Sequence, residues 1–301
     1  MYQKFFNLTE FPFNQYPNID YYYNLENHQK SLDVLMVGLQ VNDGIVKITG
    51  EPGTGKSMLC RLFIDKIADQ DYPVYVMNPY FTYEELLELI ATNLGLTCPA
   101  GAKPAKLLKL IHDKSYALRQ KNKKLVLLFD ESQCLSKENL EIIQILSNLE
   151  CVGEKLCQIV LIGGLDLDEK LRASGHLLQR VSFSYTLLPL KQKDLDDYIF
   201  HRIAKATKPG KSHGITLSPQ ASLLLYKKTK GIPRLINIVC HKALMLAYSR
   251  SEHHLSKELI AKAILDTEYT SDSGFLKNCI QSFVRWMKQV IVHPKDTAPV
   301  E

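Results

Sequence analysis

No run of about 18 consecutive apolar residues occurs in this 301-residue chain, so a membrane-spanning helix is not expected. The first residues, Met1-Tyr2-Gln3-Lys4-Phe5-Phe6, lack both an uninterrupted apolar core and a small-residue cleavage site, which argues against an export signal. Seven cysteines, at 60, 98, 134, 151, 157, 240 and 279, show no C-x-x-C spacing and are too sparse for a secreted disulfide scaffold. Reduced thiols and a cytoplasmic location are the expectation. The nine histidines, His253-His254 included, never fall at i, i+4 on a helix face beside a carboxylate, so no metal site made by the protein alone is expected. Internal repeats are absent, and low complexity is confined to the tail from His293. A formal charge of +5 neither demands nor excludes a nucleic-acid partner.

What is present centres on Gly50-Glu51-Pro52-Gly53-Thr54-Gly55-Lys56-Ser57, which fits G-x-x-x-x-G-K-[ST] at every fixed position. Glycines at 50, 53 and 55 are expected to take positive φ and turn backbone N–H groups inward as an anion nest. Lys56 would reach the β and γ phosphates of a nucleoside triphosphate, and Ser57 would give a hydroxyl to Mg²⁺. The helix expected from Met58 to Ile67 adds its N-terminal dipole. Before the loop, Gly44 to Thr49 reads as a buried strand.

Residues 1 to 43 are rich in aromatics punctuated by Pro12 and Pro17 and read as an irregular strap, followed by a helix from about Asn27 to Val41. Such a strap either borders a nucleotide base or pins itself to the core. Downstream, Pro73–Asn78 reads as a strand, Tyr83–Leu94 and Ala105–Arg119 as helices, Gln158–Gly164 as a strand after a helix at Leu140–Leu149, and Ser182–Leu187 as a last short strand. This alternation predicts an α/β fold with a parallel sheet flanked by helices. Arg119, Lys121, Lys123 and Lys124 form a basic run that is either a solvated edge or a phosphate contact. From Gln192 on, the pattern predicts helices alone, making a helical lid. The expected domains are the strap with its helix (1–43), a nucleotide-binding α/β domain (44–190), the helical lid (191–268), and an amphipathic C-terminal helix with a tail (269–301).

Leu125-Val126-Leu127-Leu128-Phe129-Asp130-Glu131 carries the second strong signal, five apolar residues ending in two carboxylates. It fits a buried central strand whose C-terminal end faces a ligand crevice. Asp130 would hold the Mg²⁺ hydration shell, and Glu131 would orient the attacking water. Hydrolysis of ATP is therefore expected over phosphoryl transfer to a substrate.

These residues, with Phe6-x-Leu8, Pro12-Phe13, Ser132-Gln133, Leu188-Pro189-Leu190, Tyr198-Ile199-Phe200-His201-Arg202 and Gly231-Ile232-Pro233-Arg234-Leu235-Ile236-Asn237, make the chain resemble a P-loop AAA+ ATPase of the general secretion pathway protein A type over roughly residues 1 to 265. Within that family the compact length resembles the ATPases of mannose-sensitive haemagglutinin pilus biogenesis. The resemblance implies that Arg234 approaches the γ-phosphate and couples nucleotide state to the lid. It also implies that Arg180, or its rival Arg172, is an arginine finger given to a neighbouring subunit. One departure is Gly163-Gly164-Leu165, where relatives tend to carry a polar residue. Either a water or Asp166 substitutes, or hydrolysis is slow and partner-stimulated. Gln133 is a candidate switch or polar relay beside Glu131.

Three functions compete: an ATPase that oligomerises with itself and drives pilus or secretion assembly in the envelope, a DNA-binding ATPase resembling transposition regulators, and a nucleotide-gated adaptor. Basic clusters at 121–124 and at Lys227, Lys228 and Lys230 favour DNA, while the modest charge and lack of a C-terminal helix-turn-helix oppose it. Residues 275–292 predict an amphipathic helix whose charges are all basic, suited to its own lid, a partner or peripheral contact with an anionic inner membrane.

Overall fold

A computed structural model describes residues 2–42, 44–77, 80–99, 101–175 and 177–267. The helix expected over 275–292 lies outside the described residues. In chain order the α-helices and strands are α1 (Tyr2–Phe5), α2 (Glu26–Val41), β1 (Ile45–Gly50), α3 (Lys56–Ile67), β2 (Tyr72–Val76), α4 (Tyr83–Asn93), α5 (Pro104–Arg119), β3 (Leu125–Phe129), α6 (Lys137–Ser147), β4 (Glu150–Cys151), β5 (Glu154–Lys155), β6 (Cys157–Gly163), α7 (Leu167–Ala173), β7 (Val181–Leu187), α8 (Leu195–Ala206), β8 (Thr216–Leu217), α9 (Pro219–Thr229), α10 (Pro233–Ser249), β9 (His254–Leu255) and α11 (Lys257–Leu265).

Two compact units emerge. The first holds residues 15–205 and Ile232–Arg234 and is built on a five-stranded sheet in the order β2-β3-β6-β1-β7. Every pair in that sheet is parallel. Its strand β3 is apolar on both faces, as a sheet covered by helices on each side requires. Along β3, Leu125, Leu127 and Phe129 join one core with Leu86, Ile90, Ile111 and Ile143 from α4, α5 and α6. The alternate residues Val126 and Leu128 join the other with Leu35, Leu39, Leu59 and Phe63 from α2 and α3. Local chemistry sets the helix starts: Thr82 and Glu85 close a reciprocal capping box at α4, and Pro104 occupies the first turn of α5.

Among the described residues, the second unit comprises 2–14, 206–231 and 235–267. Its helices α9 and α11 begin at serine caps, with Ser218 Oγ accepting from Ala221 N (3.1 Å) and Ser256 Oγ from Leu259 N (3.3 Å). The expectation of helices alone needs correction here, because β8 and β9 form a parallel two-residue ladder just ahead of those caps. Two residues per strand are too few to leave an alternation in the sequence. The N-terminal segment is fastened by backbone bonds to the chain after α8. Thr9 N donates to Ala206 O (2.7 Å), Lys208 N donates to Asn7 O (2.9 Å), and Leu8 bridges Thr207.

The contact pattern divides the chain elsewhere than the expected boundaries. Strap residues 15–42 and α8 group with the sheet because Leu35 and Leu39 pack on Val46 and Ile48, and the Arg202 guanidinium lies 4.9 Å over the Tyr21 ring. Within the described residues no helix is long and apolar enough to cross a membrane.

Candidate nucleotide site

The phosphate-binding motif forms the turn between β1 and α3, at the C-terminal edge of the sheet. Gly53 (φ +86°) and Gly55 (φ +105°) adopt the positive φ expected of them, but Gly50 does not. Gly50 is needed for space instead, since a Cβ there would lie 2.8 Å from the Leu187 carbonyl and 3.1 Å from Thr54 Oγ1. Gly53 is also crowded, because a Cβ there would come 2.8 Å from Arg234 Cβ. Within the same turn, exposed Glu51 and Pro52 precede Thr54, whose Oγ1 donates to Glu51 O (2.8 Å) and fixes the bend.

Lys56 opens α3 and is only 6% exposed. Its Nζ donates to Gly50 O (2.8 Å) and Glu51 O (3.1 Å), so the loop's own carbonyls hold the ammonium. Burial pushes its pKa down, and the nearby charges of Glu131 and Asp130 act against that shift. Met58 is half-buried in the same first turn.

Parallel pairing of β1, β6 and β3 carries the Asp130-Glu131 segment to the same edge. Asp130, 2% exposed, accepts at Oδ2 from Ser57 Oγ (2.8 Å) and from Tyr75 OH (2.8 Å), while its Oδ1 accepts from Glu131 N (2.9 Å). The Tyr75 phenol is pushed upward by burial and by the neighbouring anionic forms of Cys60 and Asp130. A carboxylate and a hydroxyl brought together beside the loop are hard oxygen donors that fit Mg²⁺. Glu131 is exposed and sits in the left-handed region (φ 51°), which turns the chain sharply after β3. Its Oε2 accepts from Gln133 Nε2 (2.5 Å).

Arg234 is also at the loop, with its backbone N donating to Gly53 O (3.2 Å) and its side chain exposed. Arg180 is not. It precedes Val181, which pairs with Ile45 at the start of β1, whereas Leu187 pairs with Gly50 at the end. Five residues of strand, about 16 Å, separate those levels, so Arg180 lies at the sheet edge opposite its own phosphate loop. Its guanidinium donates to Asn148 Oδ1. Arg172 is exposed in the last turn of α7.

Sequence reasoning missed His28. From α2 its Nε2 lies 3.1 Å from Thr54 O and 2.7 Å from where a Gly55 Cβ would be. A carbonyl only accepts, so Nε2 carries the proton and Nδ1 is left as a buried acceptor with no partner. Desolvation holds the imidazole pKa down at about 4. His28 also lines a shallow recess with Leu25–Asn27, Leu188–Lys191 and Asp194. Only the N-terminal position of His28 on an amphipathic helix was visible in the sequence, and that says nothing of a partner 26 residues away.

A profile of the family described as "AAA domain" matches residues 39–171, which contain the loop, both strand-end carboxylates and Gln133. General secretion pathway protein A of Aeromonas hydrophila is 36% identical over 278 residues, 91% of this chain and 50% of the relative. The chain belongs to the AAA+ proteins of the general secretion pathway protein A type. It spans about half the length of that relative. Among solved AAA+ structures, the Aeropyrum pernix ORC2 protein in its ADPNP-ADP complexes aligns with a TM-score of 0.65 at 17% identity, covering 85% of this chain and 71% of that one. The Aeropyrum pernix ORC1 protein in complex with DNA aligns with a TM-score of 0.59 at 19% identity, covering 88% and 69%. At such identities the likeness shows the P-loop fold alone.

Proposed function

We propose that this AAA+ protein binds ATP with Mg²⁺, hydrolyses it, and acts as an oligomerising motor or switch in assembly of a type IV pilus or secretion apparatus, as in mannose-sensitive haemagglutinin pilus biogenesis. The observation that carries the reading is the convergence of Lys56, Ser57, Asp130 and Glu131 at one sheet edge beside a glycine-shaped loop. Lys56 would exchange its carbonyl partners for the β and γ phosphates, and loop N–H groups would complete the cradle. Ser57 and Asp130 would hold Mg²⁺, which when bound neutralises charge on the phosphate oxygens. Glu131, exposed next to that pair, would orient water in line with the β–γ bond.

Arg234 would sense the γ-phosphate and pass its state to α10. The position of Arg180 away from its own loop supports a finger acting in a neighbouring subunit's site, and hence self-assembly. Cytoplasmic placement at the inner membrane and envelope partners rest on the relative's name and on the basic amphipathic pattern at 275–292.

A DNA-binding ATPase is the second reading, favoured by exposed Lys227, Lys228 and Lys230 at the end of α9. The other cluster speaks against it, because Arg119 pairs with Glu154, Lys123 Nζ donates to Asp69 O (3.1 Å) and Lys124 Nζ to Leu39 O (2.6 Å). The deciding experiment compares Lys56→Ala with Glu131→Gln. The first should lose ATP binding, and the second should keep binding and lose turnover. Parental turnover by Glu131→Gln would refute the water-orienting role, and salt-sensitive DNA binding that depends on ATP would favour the second reading.

A further inference from the structure

β6 ends at Gly163 and Gly164 follows, so no side chain projects from that strand end toward the carboxylate of Glu131. The space is filled from the neighbouring loop. Gln133, in the turn after β3, places its amide there: Oε1 accepts from Gly164 N (2.8 Å) and Nε2 donates to Glu131 Oε2 (2.5 Å). A Cβ at Gly163 would sit 2.7 Å from Gln133 Oε1 and 3.3 Å from Gln133 N, so the glycine is what admits the amide. The amide has only one workable orientation, since a flip would set its NH₂ against the Gly164 N–H and its oxygen against the carboxylate. A further bond, Lys170 Nζ to Gln133 O (2.6 Å), anchors the backbone of the turn to α7. Asp166, the expected substitute, is exposed, with Oδ1 2.4 Å from where a Gly164 Cβ would lie.

We propose that Gln133 is a positioning residue for hydrolysis, an amide clamp that ties the Glu131 carboxylate to the end of β6. The proposal rests on the reading of Glu131 as the water-orienting group. A free glutamate on an exposed left-handed turn samples several rotamers. Held through Oε2, it keeps one carboxylate oxygen engaged and presents the other in a fixed direction. Misplacing a reacting group by about an ångström costs ~10²-fold in rate, so the clamp acts on turnover and leaves the binding of ATP to the loop alone.

The test measures kcat and ATP affinity separately for the full chain and for Gln133→Ala, Gln133→Glu and Gly163→Ala. Gln133→Ala is expected to lower kcat by ~10 to 100-fold with ATP affinity within about twofold of the parent. Gln133→Glu keeps the shape and the acceptor for Gly164 N–H but sets two carboxylates together. It should therefore lower kcat at least as far as Gln133→Ala does, because the bond to Glu131 is replaced by repulsion. Gly163→Ala should lower kcat in the parent and add much less in the Gln133→Ala background, where the clash with the amide oxygen is gone and only the contacts with Leu167 Cδ2 (3.2 Å) and Gln133 N (3.3 Å) remain. Full turnover by Gln133→Ala or by Gln133→Glu, or fully additive losses with Gly163→Ala, would each overturn the clamp. An absence of turnover in the ATP-bound parent would overturn the hydrolysis reading and the clamp together, an outcome distinct from loss of the clamp alone.

Discussion

Acidification should loosen the α/β unit through His28, and the size of the effect follows from its burial. The imidazole has an ordinary value of 6.5 and is held at about 4 by desolvation, against one backbone bond to Thr54 that pulls the other way. Between those values the unfolded chain binds a proton that the folded chain refuses. Stability is therefore complete above the unfolded value and is lost as pH falls toward the folded one. Linkage puts the cost at about 0.2 kcal/mol at pH 7 and about 2 kcal/mol at pH 5. For a unit of this size that corresponds to a drop of about 4 to 7 °C in Tm. Carboxylates titrate in the same range, so the measurement is a comparison with His28→Gln, whose amide can still donate to Thr54 O and does not titrate. Thermal melts of nucleotide-free protein from pH 7 to 5 should show the parent losing that much more than the variant. Equal slopes would refute the assignment of a buried neutral imidazole, and so would a steeper slope in His28→Gln.

Gly53→Ala should destabilise the free protein by about 1 to 2 kcal/mol through its positive φ and weaken ATP binding, since the new methyl must displace the Arg234 backbone or the loop. Unchanged ATP affinity by calorimetry would count against that contact. Tyr75→Phe removes one donor from buried Asp130 and should cost about 1.5 to 3 kcal/mol in urea unfolding; a neutral result would mean Ser57 and Glu131 N suffice to satisfy the carboxylate. Mixing Arg180→Ala with Glu131→Gln, each inactive alone, should restore some hydrolysis at mixed interfaces, because an intact Glu131 site then receives an intact Arg180. No recovery in demonstrated mixed oligomers would move the finger role to Arg172.

The phosphate loop, the strand-end carboxylates and the alternation of strand and helix were legible because each is local. Glycines at fixed offsets and a five-residue apolar strand ending in Asp130 carry their physics within a few positions. Gly50 shows where locality stops, since its requirement is set by Leu187, a strand partner that only the sheet order supplies. The same holds for His28 beneath Thr54 and for Gln133 capping Gly164, pairs 26 and 31 residues apart with no periodic trace. Glycine at 163 and 164 was noticed as a missing side chain, and its meaning as room for another residue's amide required the fold. Short elements such as the β4–β5 hairpin and α7 escaped because two to seven residues give too little pattern to separate from loop.

The fastening of Asn7, Leu8 and Thr9 to the chain around Ala206–Lys208 sets an order of events on the ribosome. Residues 15–205 emerge as a continuous stretch holding all five strands of the sheet, so that unit can begin to close while translation continues. The first fourteen residues cannot do the same, because their partners lie some two hundred positions downstream, as the 197-residue separation of Thr9 from Ala206 records. At typical synthesis rates the wait is ~10 to 40 s. Throughout it Tyr2, Phe6, Leu8 and Phe13, all buried at the end, stand in water. Residues 2–14 thus wait for partners made long after them, which makes them the natural handle for a holdase chaperone.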